Sequence, residues 1–101
     1  MAKSIVQKEK VCLVCHTTQN LELHHCLPGA RRRIADELGL TVYLCHEHHT
    51  GAHGVHFDKQ FMLELKQLAQ TVFVEQYGEK VWFERVGKNY LTDTEGSFED
   101  E

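Results

Sequence analysis

Cys12-x-x-Cys15 and Cys45-x-x-His48 are two ligand pairs, each with the two-residue spacer that lets a single turn present both side chains to one tetrahedral zinc. Set some thirty residues apart, they make a closed four-ligand structural site. Cys26 or His16 in place of His48 would give a rival set. Around the second pair the chain is crowded with imidazole: LCHEHHTGAHGVH, residues 44 to 56, holds five of the eight histidines. Histidine titrates near neutral pH and is the commonest metal ligand, so this density points to metal chemistry beyond a structural zinc. Neighbouring helical residues lie about 100° apart, so His48 and His49 can serve two different sites. His49 and His53, at i and i+4, would stack on one helix face, and His56 is a third candidate. His24-His25 ends an alternating segment. Adjacent strand residues point to opposite faces, which divides their labour: one binds metal and the other is free for proton transfer.

The elements that must position these groups are short. NLELHH alternates Leu21 and Leu23 with polar neighbours, the period of a half-buried strand. CLPGA supplies a turn, ARRRIADEL a short helix, and Gly39 sits where a helix C-terminus wants positive φ. LTVYLC is β-branched and aromatic, hence a second strand. A short helix follows from Cys45, broken around Gly51 and Gly54. A longer one then starts at an Asp58 N-cap, buries Phe61, Leu65, Leu68, Val72 and Phe73, and closes at Gly78. Val81, Trp82, Arg85 and Val86 have helical spacing and define a last short helix. The apolar stripes of these two helices are core.

The 101 residues amount to one domain whose small core needs help from a metal. We expect an arm over 1–10, a domain over 11–91 with a zinc and strand-strand-helix core at 11–57 and helices at 58–91, and an acidic disordered tail over 92–101. No apolar run approaches a membrane span and MAKSIVQKEK is no secretory signal, so no membrane partner and a cytoplasmic location are expected. In such a reducing compartment four cysteines beside eight histidines read as zinc ligands and leftovers rather than as disulfides. The formal charge is −4, but five of the fifteen acids (Asp93, Glu95, Glu99, Asp100, Glu101) lie in DTEGSFEDE. The remainder is near neutral, which neither favours nor excludes DNA. Its one basic cluster is Arg31-Arg32-Arg33.

An antiparallel strand pair leading into a helix, with His-His closing the first strand and a histidine early in the helix, resembles the HNH endonucleases and their ββα-metal finger. The resemblance covers residues 11 to 57, and the C-x-x-C…C-x-x-[CH]-H frame is similar to the zinc-stapled branch. The helical remainder resembles small HNH proteins of phages and prophages. It implies an α+β fold, a small ββα-metal finger with a structural zinc knuckle (Cys12, Cys15, Cys45, His48) and C-terminal helices. It also implies His24 and His49 as ligands of a catalytic metal and His25 as general base. Colicin-type members carry H-x-x-x-H on the helix, which matches His49 to His53 and makes His53 the third ligand, with His56 the alternative. The middle asparagine of the family has no counterpart: its place falls near Leu40 or Thr41, so a carbonyl, Thr41 or another side chain would have to orient His25.

The activity so implied is metal-dependent DNA cleavage, by nicking, that leaves 5′-phosphate and 3′-hydroxyl ends. An all-imidazole site suits Zn²⁺, Ni²⁺, Co²⁺ or Mn²⁺ better than Mg²⁺. Arg31, Arg32 and Arg33 would contact flanking phosphates. The expected partner is duplex DNA read with low sequence specificity, by a monomer or weak homodimer, with a phage protein as a further partner and a bacterial host cell as the setting. The rival reading is a non-catalytic zinc-containing module that binds DNA or protein, such as a phage recombination or packaging accessory.

Overall fold

The computed structural model describes residues 3–27, 29–52 and 54–92. Pro28, His53 and the expected acidic tail from residue 93 onward lie outside them. Among the described residues the chain forms an α+β fold with one two-stranded antiparallel sheet, β1 (Leu21–His25) and β2 (Thr41–Cys45), and four α-helices: α1 (Arg32–Leu38), α2 (His46–His49), α3 (Lys59–Tyr77) and α4 (Glu79–Arg85). No helix among the described residues is long and apolar enough to cross a membrane.

The two strands pair antiparallel, the first alternating in sequence and the second, β-branched and aromatic, buried at four of its five residues. Its register runs from Leu21 opposite Cys45 to His25 opposite Thr41. The ladder therefore carries a zinc-type ligand at one end and the paired histidines at the other. Glu22 and His24 share one face of β1 by the two-residue period of a strand. The α1 helix, preceded by a 3-10 turn over Gly29–Arg31, bridges the strands and stops at Gly39, which sits at φ 76 with its N–H on the Ala35 carbonyl. A side chain at Gly39 would be strained by that φ and would also strike the Lys3 carbonyl.

That contact belongs to an arm more integrated than its polar sequence implies. Ile5 N–H donates to the Gly39 carbonyl at 2.9 Å, Ser4 Oγ to the Thr41 carbonyl at 2.6 Å, and Tyr43 N–H to Gln7 Oε1 at 2.7 Å. Residues 3 to 7 thus lie along β2, with Ile5 and Val6 packed on the core.

One apolar cluster unites the cysteine-bearing end of the sheet and the C-terminal helices, running from Cys12 and Leu44 through Leu65 and Phe73 to Trp82 and Tyr90. Asp58 caps α3 as expected, its Oδ1 accepting from Phe61 N–H at 3.0 Å. The buried face of α3 is rotated from the sequence expectation: Leu65 and Phe73 are buried and Phe61 packs on the core, but neither Leu68 nor Val72 belongs to it. It presents Leu65, Ala69, Gln70 and Phe73 inward, while Leu68 is 37% exposed. Buried Gln70 explains the shift: it donates to Asn89 Oδ1 at 3.0 Å and accepts from Tyr90 N–H at 2.7 Å, so α3 uses this face to hold the C-terminal turn. Trp82, fully buried, donates its indole N–H to the Lys88 carbonyl at 2.8 Å and lies 5.6 Å from the Phe73 ring.

Candidate metal centres

Cys12, Cys15, Cys45 and His48 converge, with one ligand atom from each within 4.8 Å of the others. Cys15 and Cys45 Sγ are 3.8 Å apart, Cys12 Sγ is 3.7 Å from His48 Nδ1, and Cys45 Sγ is 3.2 Å from the same nitrogen. A disulfide would bring two sulfurs to about 2.05 Å. Two thiolates on one tetrahedral zinc, each bonded at about 2.3 Å, lie about 3.8 Å apart. The group therefore has the donor set and spacing of a structural Cys₃His zinc site.

Local bonding prepares it. His16 N–H closes the knuckle on the Cys12 carbonyl at 2.8 Å. Burial opposes ionisation of the Cys12 thiol, but hydrogen bonds from the backbones of Cys15, Cys45 and Val14 and from the Cys15 side chain outweigh it and bring the thiol down to about 6. At Cys15 a hydrogen bond from the Thr17 backbone favours the thiolate, yet desolvation and the neighbouring Cys12 and Cys45 sulfurs together raise it. Neither rival donor joins this group: Cys26 is fully buried in the core, where burial pushes its thiol up to about 12, and His16 is exposed.

A second group forms from His24, His49 and His56. The rings of His24 and His49 are 5.3 Å apart, those of His24 and His56 5.6 Å, and those of His49 and His56 4.8 Å. His49 Nε2 and His56 Nε2 stand 3.2 Å apart. Two imidazole nitrogens bonded at about 2.05 Å to one tetrahedral ion lie about 3.3 Å apart. His24 Nε2 is buried and has no hydrogen-bond partner among the described residues. A buried ring nitrogen without a partner costs free energy, and a metal bond here would satisfy it. Burial foremost, then the neighbouring His49, His56 and His25, lowers the His24 pKa to about 3. The ring is thus held neutral, with its lone pair available. Burial and His49 lower the His56 pKa in the same direction, against an opposing effect of Glu22.

Among the described residues the third histidine of the group is His56, the alternative that the sequence offered beside His53. The helix on which His49 and His53 were to stack ends at His49, and Thr50 is already its cap. His53 lies outside the described residues, and His56 is the residue brought to His49. Gly54 permits the return of the chain: a Cβ there would lie 2.5 Å from the His49 carbonyl oxygen.

Two carboxylates complete the site, and neither was singled out in the sequence. Glu22 accepts from His49 Nδ1 at 2.7 Å, and its other oxygen lies 3.0 Å from His46 Nδ1. The hydrogen bonds to His46 and then His49 lower its pKa to about 2. With Nδ1–H committed to Glu22, His49 turns its Nε2 lone pair toward His56 Nε2, where a metal could take it, in the carboxylate–histidine arrangement that fixes ligand orientation. Asp36 Oδ1 is 3.2 Å from His25 Nε2. Both had a faint signal: Glu22 shares the strand face of His24, and Asp36 is four residues after Arg32 on α1.

The three arginines separate. Arg32 lines a cavity of about 330 Å³ together with His24, His25, His49 and His56. It also lines the adjoining cavity with His25, Arg33 and Asp36. Exposed Arg33 pairs with Glu37 at 3.9 Å. Arg31 donates from Nε to the Val86 carbonyl at 3.2 Å, tying the start of α1 to the end of α4. Comparisons of the chain with protein-family models, with curated proteins and with solved structures give no match.

Proposed function

We propose that this chain is an HNH-type, metal-dependent DNA endonuclease in which the Cys₃His group is structural and the three-histidine group holds the catalytic metal. The observation that carries the reading is the meeting of His24, His49 and His56 beside His25 in a cavity that also contains Arg32. Three protein ligands are the number that catalytic metal sites use. A fully closed four-ligand set stands at the other end of the strand pair, where stability is its use.

His25 takes a proton from water while the water oxygen attacks phosphorus. The P–O3′ bond breaks, the 3′ oxygen takes a proton from solvent, and the products end in 5′-phosphate and 3′-hydroxyl. A divalent ion on His24, His49 and His56 would supply Lewis-acid stabilisation of the phosphoryl charge and of the departing oxygen. Glu22 holds the His49 ring in the ligating orientation. Arg32 neutralises a phosphate next to the scissile one, a contact that carries little sequence information. Duplex DNA cut one strand at a time, with low sequence preference, is therefore the proposed substrate.

The test is plasmid nicking by protein that retains its structural zinc but is stripped at the second site, with Mg²⁺, Mn²⁺, Co²⁺, Ni²⁺ and Zn²⁺ added singly. Nicking that depends on an added ion and disappears in His24→Ala is the expected result. No cleavage by folded, zinc-loaded protein with any of these ions would overturn the reading and leave a zinc-containing binding module.

A further inference from the structure

The family's asparagine has no counterpart near Leu40 or Thr41, and the backbone groups at those positions are engaged. The Leu40 carbonyl accepts from Cys26 N–H at 2.9 Å, and the Thr41 carbonyl accepts from the Ser4 hydroxyl at 2.6 Å. The group at hydrogen-bond distance from the His25 ring is instead a carboxylate oxygen of Asp36, on the helix that bridges the two strands. We infer that Asp36 is the positioning residue of His25, a role that deepens the nuclease reading and rests on it.

A carboxylate can only accept, so His25 Nε2 must be the nitrogen that donates across the 3.2 Å gap. In a neutral imidazole the hydrogen bond at one nitrogen decides which nitrogen keeps the proton. Asp36 therefore selects the Nε2–H tautomer and leaves Nδ1 as the proton acceptor of the ring. His25 stands where two cavities adjoin: one holds the three metal-type histidines and the other holds Asp36. The ring thus spans from its anchor to the reaction site. It is also restrained, since the His25 side chain is only 13% exposed and closes the end of β1. Asp36 contacts neither the metal-type histidines nor, in this account, the substrate, so its effect passes through His25.

The experiment reads the tautomer directly, so that it does not depend on nuclease activity. In the full-length, zinc-loaded, ¹⁵N-labelled protein, long-range ¹H–¹⁵N correlation of the imidazoles is recorded at a pH where His25 is neutral, with its signals assigned by their loss in His25→Gln. The expected result is a single tautomer with the proton on Nε2 in the wild type and a mixture of tautomers in Asp36→Ala. Asp36→Asn, which keeps the side-chain shape but can offer either a donor or an acceptor, is expected to mix them as well and serves if the alanine variant does not fold. A proton on Nδ1 in the wild type, or a pattern unchanged in both variants, would overturn the inference. The nicking arm adds a second readout: Asp36→Ala should lower kcat by about 10- to 100-fold with KM unchanged, and Asp36→Glu should recover part of it. Loss carried by KM alone would also overturn it. Should the wild type cut nothing, the nuclease reading fails while the tautomer result still decides the role of Asp36.

Discussion

Replacing Glu22 by glutamine should weaken the three-histidine site without touching the zinc knuckle. The carboxylate accepts from His49 Nδ1 at 2.7 Å and is ionised at any working pH, because its bonds to His46 and His49 hold its pKa at about 2. Glutamine preserves the shape and one acceptor oxygen but removes the charge that makes the opposite ring nitrogen more basic. Loss of such an outer partner typically costs 10- to 100-fold in metal affinity or activity, about 1.4–2.7 kcal/mol. The assay is calorimetric titration of Co²⁺ into protein that retains one equivalent of structural zinc. His46→Ala is the internal control: His46 is exposed and touches the other oxygen of Glu22, so its removal leaves the His49 bond in place. Unchanged Co²⁺ affinity in Glu22→Gln, or an equal loss in His46→Ala, would refute the reasoning.

Gly54→Ala should lower Co²⁺ affinity at the same site while zinc content stays at one per chain, because a Cβ would meet the His49 carbonyl at 2.5 Å and push His56 away; unchanged affinity would show that the loop has room. Alkylation followed by peptide mapping should find Cys15 protected in zinc-loaded protein although it is exposed, and labelled with Cys12 and Cys45 after chelation, with buried Cys26 the slowest of the four. Labelling of Cys15 at the rate of a free thiol in loaded protein would rule out its ligand role. Arg32→Ala should weaken DNA binding and reduce the slope of log affinity against log salt by about 1. Arg31→Ala should instead lower the urea midpoint, since its Nε is bonded to the Val86 carbonyl; the reverse pattern would contradict the division of the arginines.

What could be read from the chain was what short-range geometry decides. The first strand followed from alternation and the second from its β-branched and aromatic residues, the Gly39 terminus from its need for positive φ, and the Asp58 cap from its place before an apolar run. The ligand pairs Cys12/Cys15 and Cys45/His48 came from spacing, because one turn fixes both members of each pair. What escaped depends on where elements dock. Glu22 reaches His49 across 27 residues of chain and Asp36 reaches His25 across 11, and neither contact has a local sequence pattern. The choice between Leu68 and Ala69 on α3 was made by Gln70 and the C-terminal turn that it holds. The pairing of His49 with His53 assumed a continuing helix, whereas α2 is a single turn that stops at Thr50. His56 then comes back through the loop that Gly54 allows. The histidine-rich segment thus announced metal chemistry, while the choice of partners belonged to the tertiary fold.

The most direct measurement of the central claim is the nicking rate of His25→Ala beside wild type, both zinc-loaded and supplied with the ion that supports cleavage. A general base contributes about 10²- to 10⁴-fold, so the account predicts a loss of that size with DNA affinity and Co²⁺ affinity at the three-histidine site unchanged. An equal rate in the two proteins would contradict it, and with it the assignment of His25 as the residue that activates water.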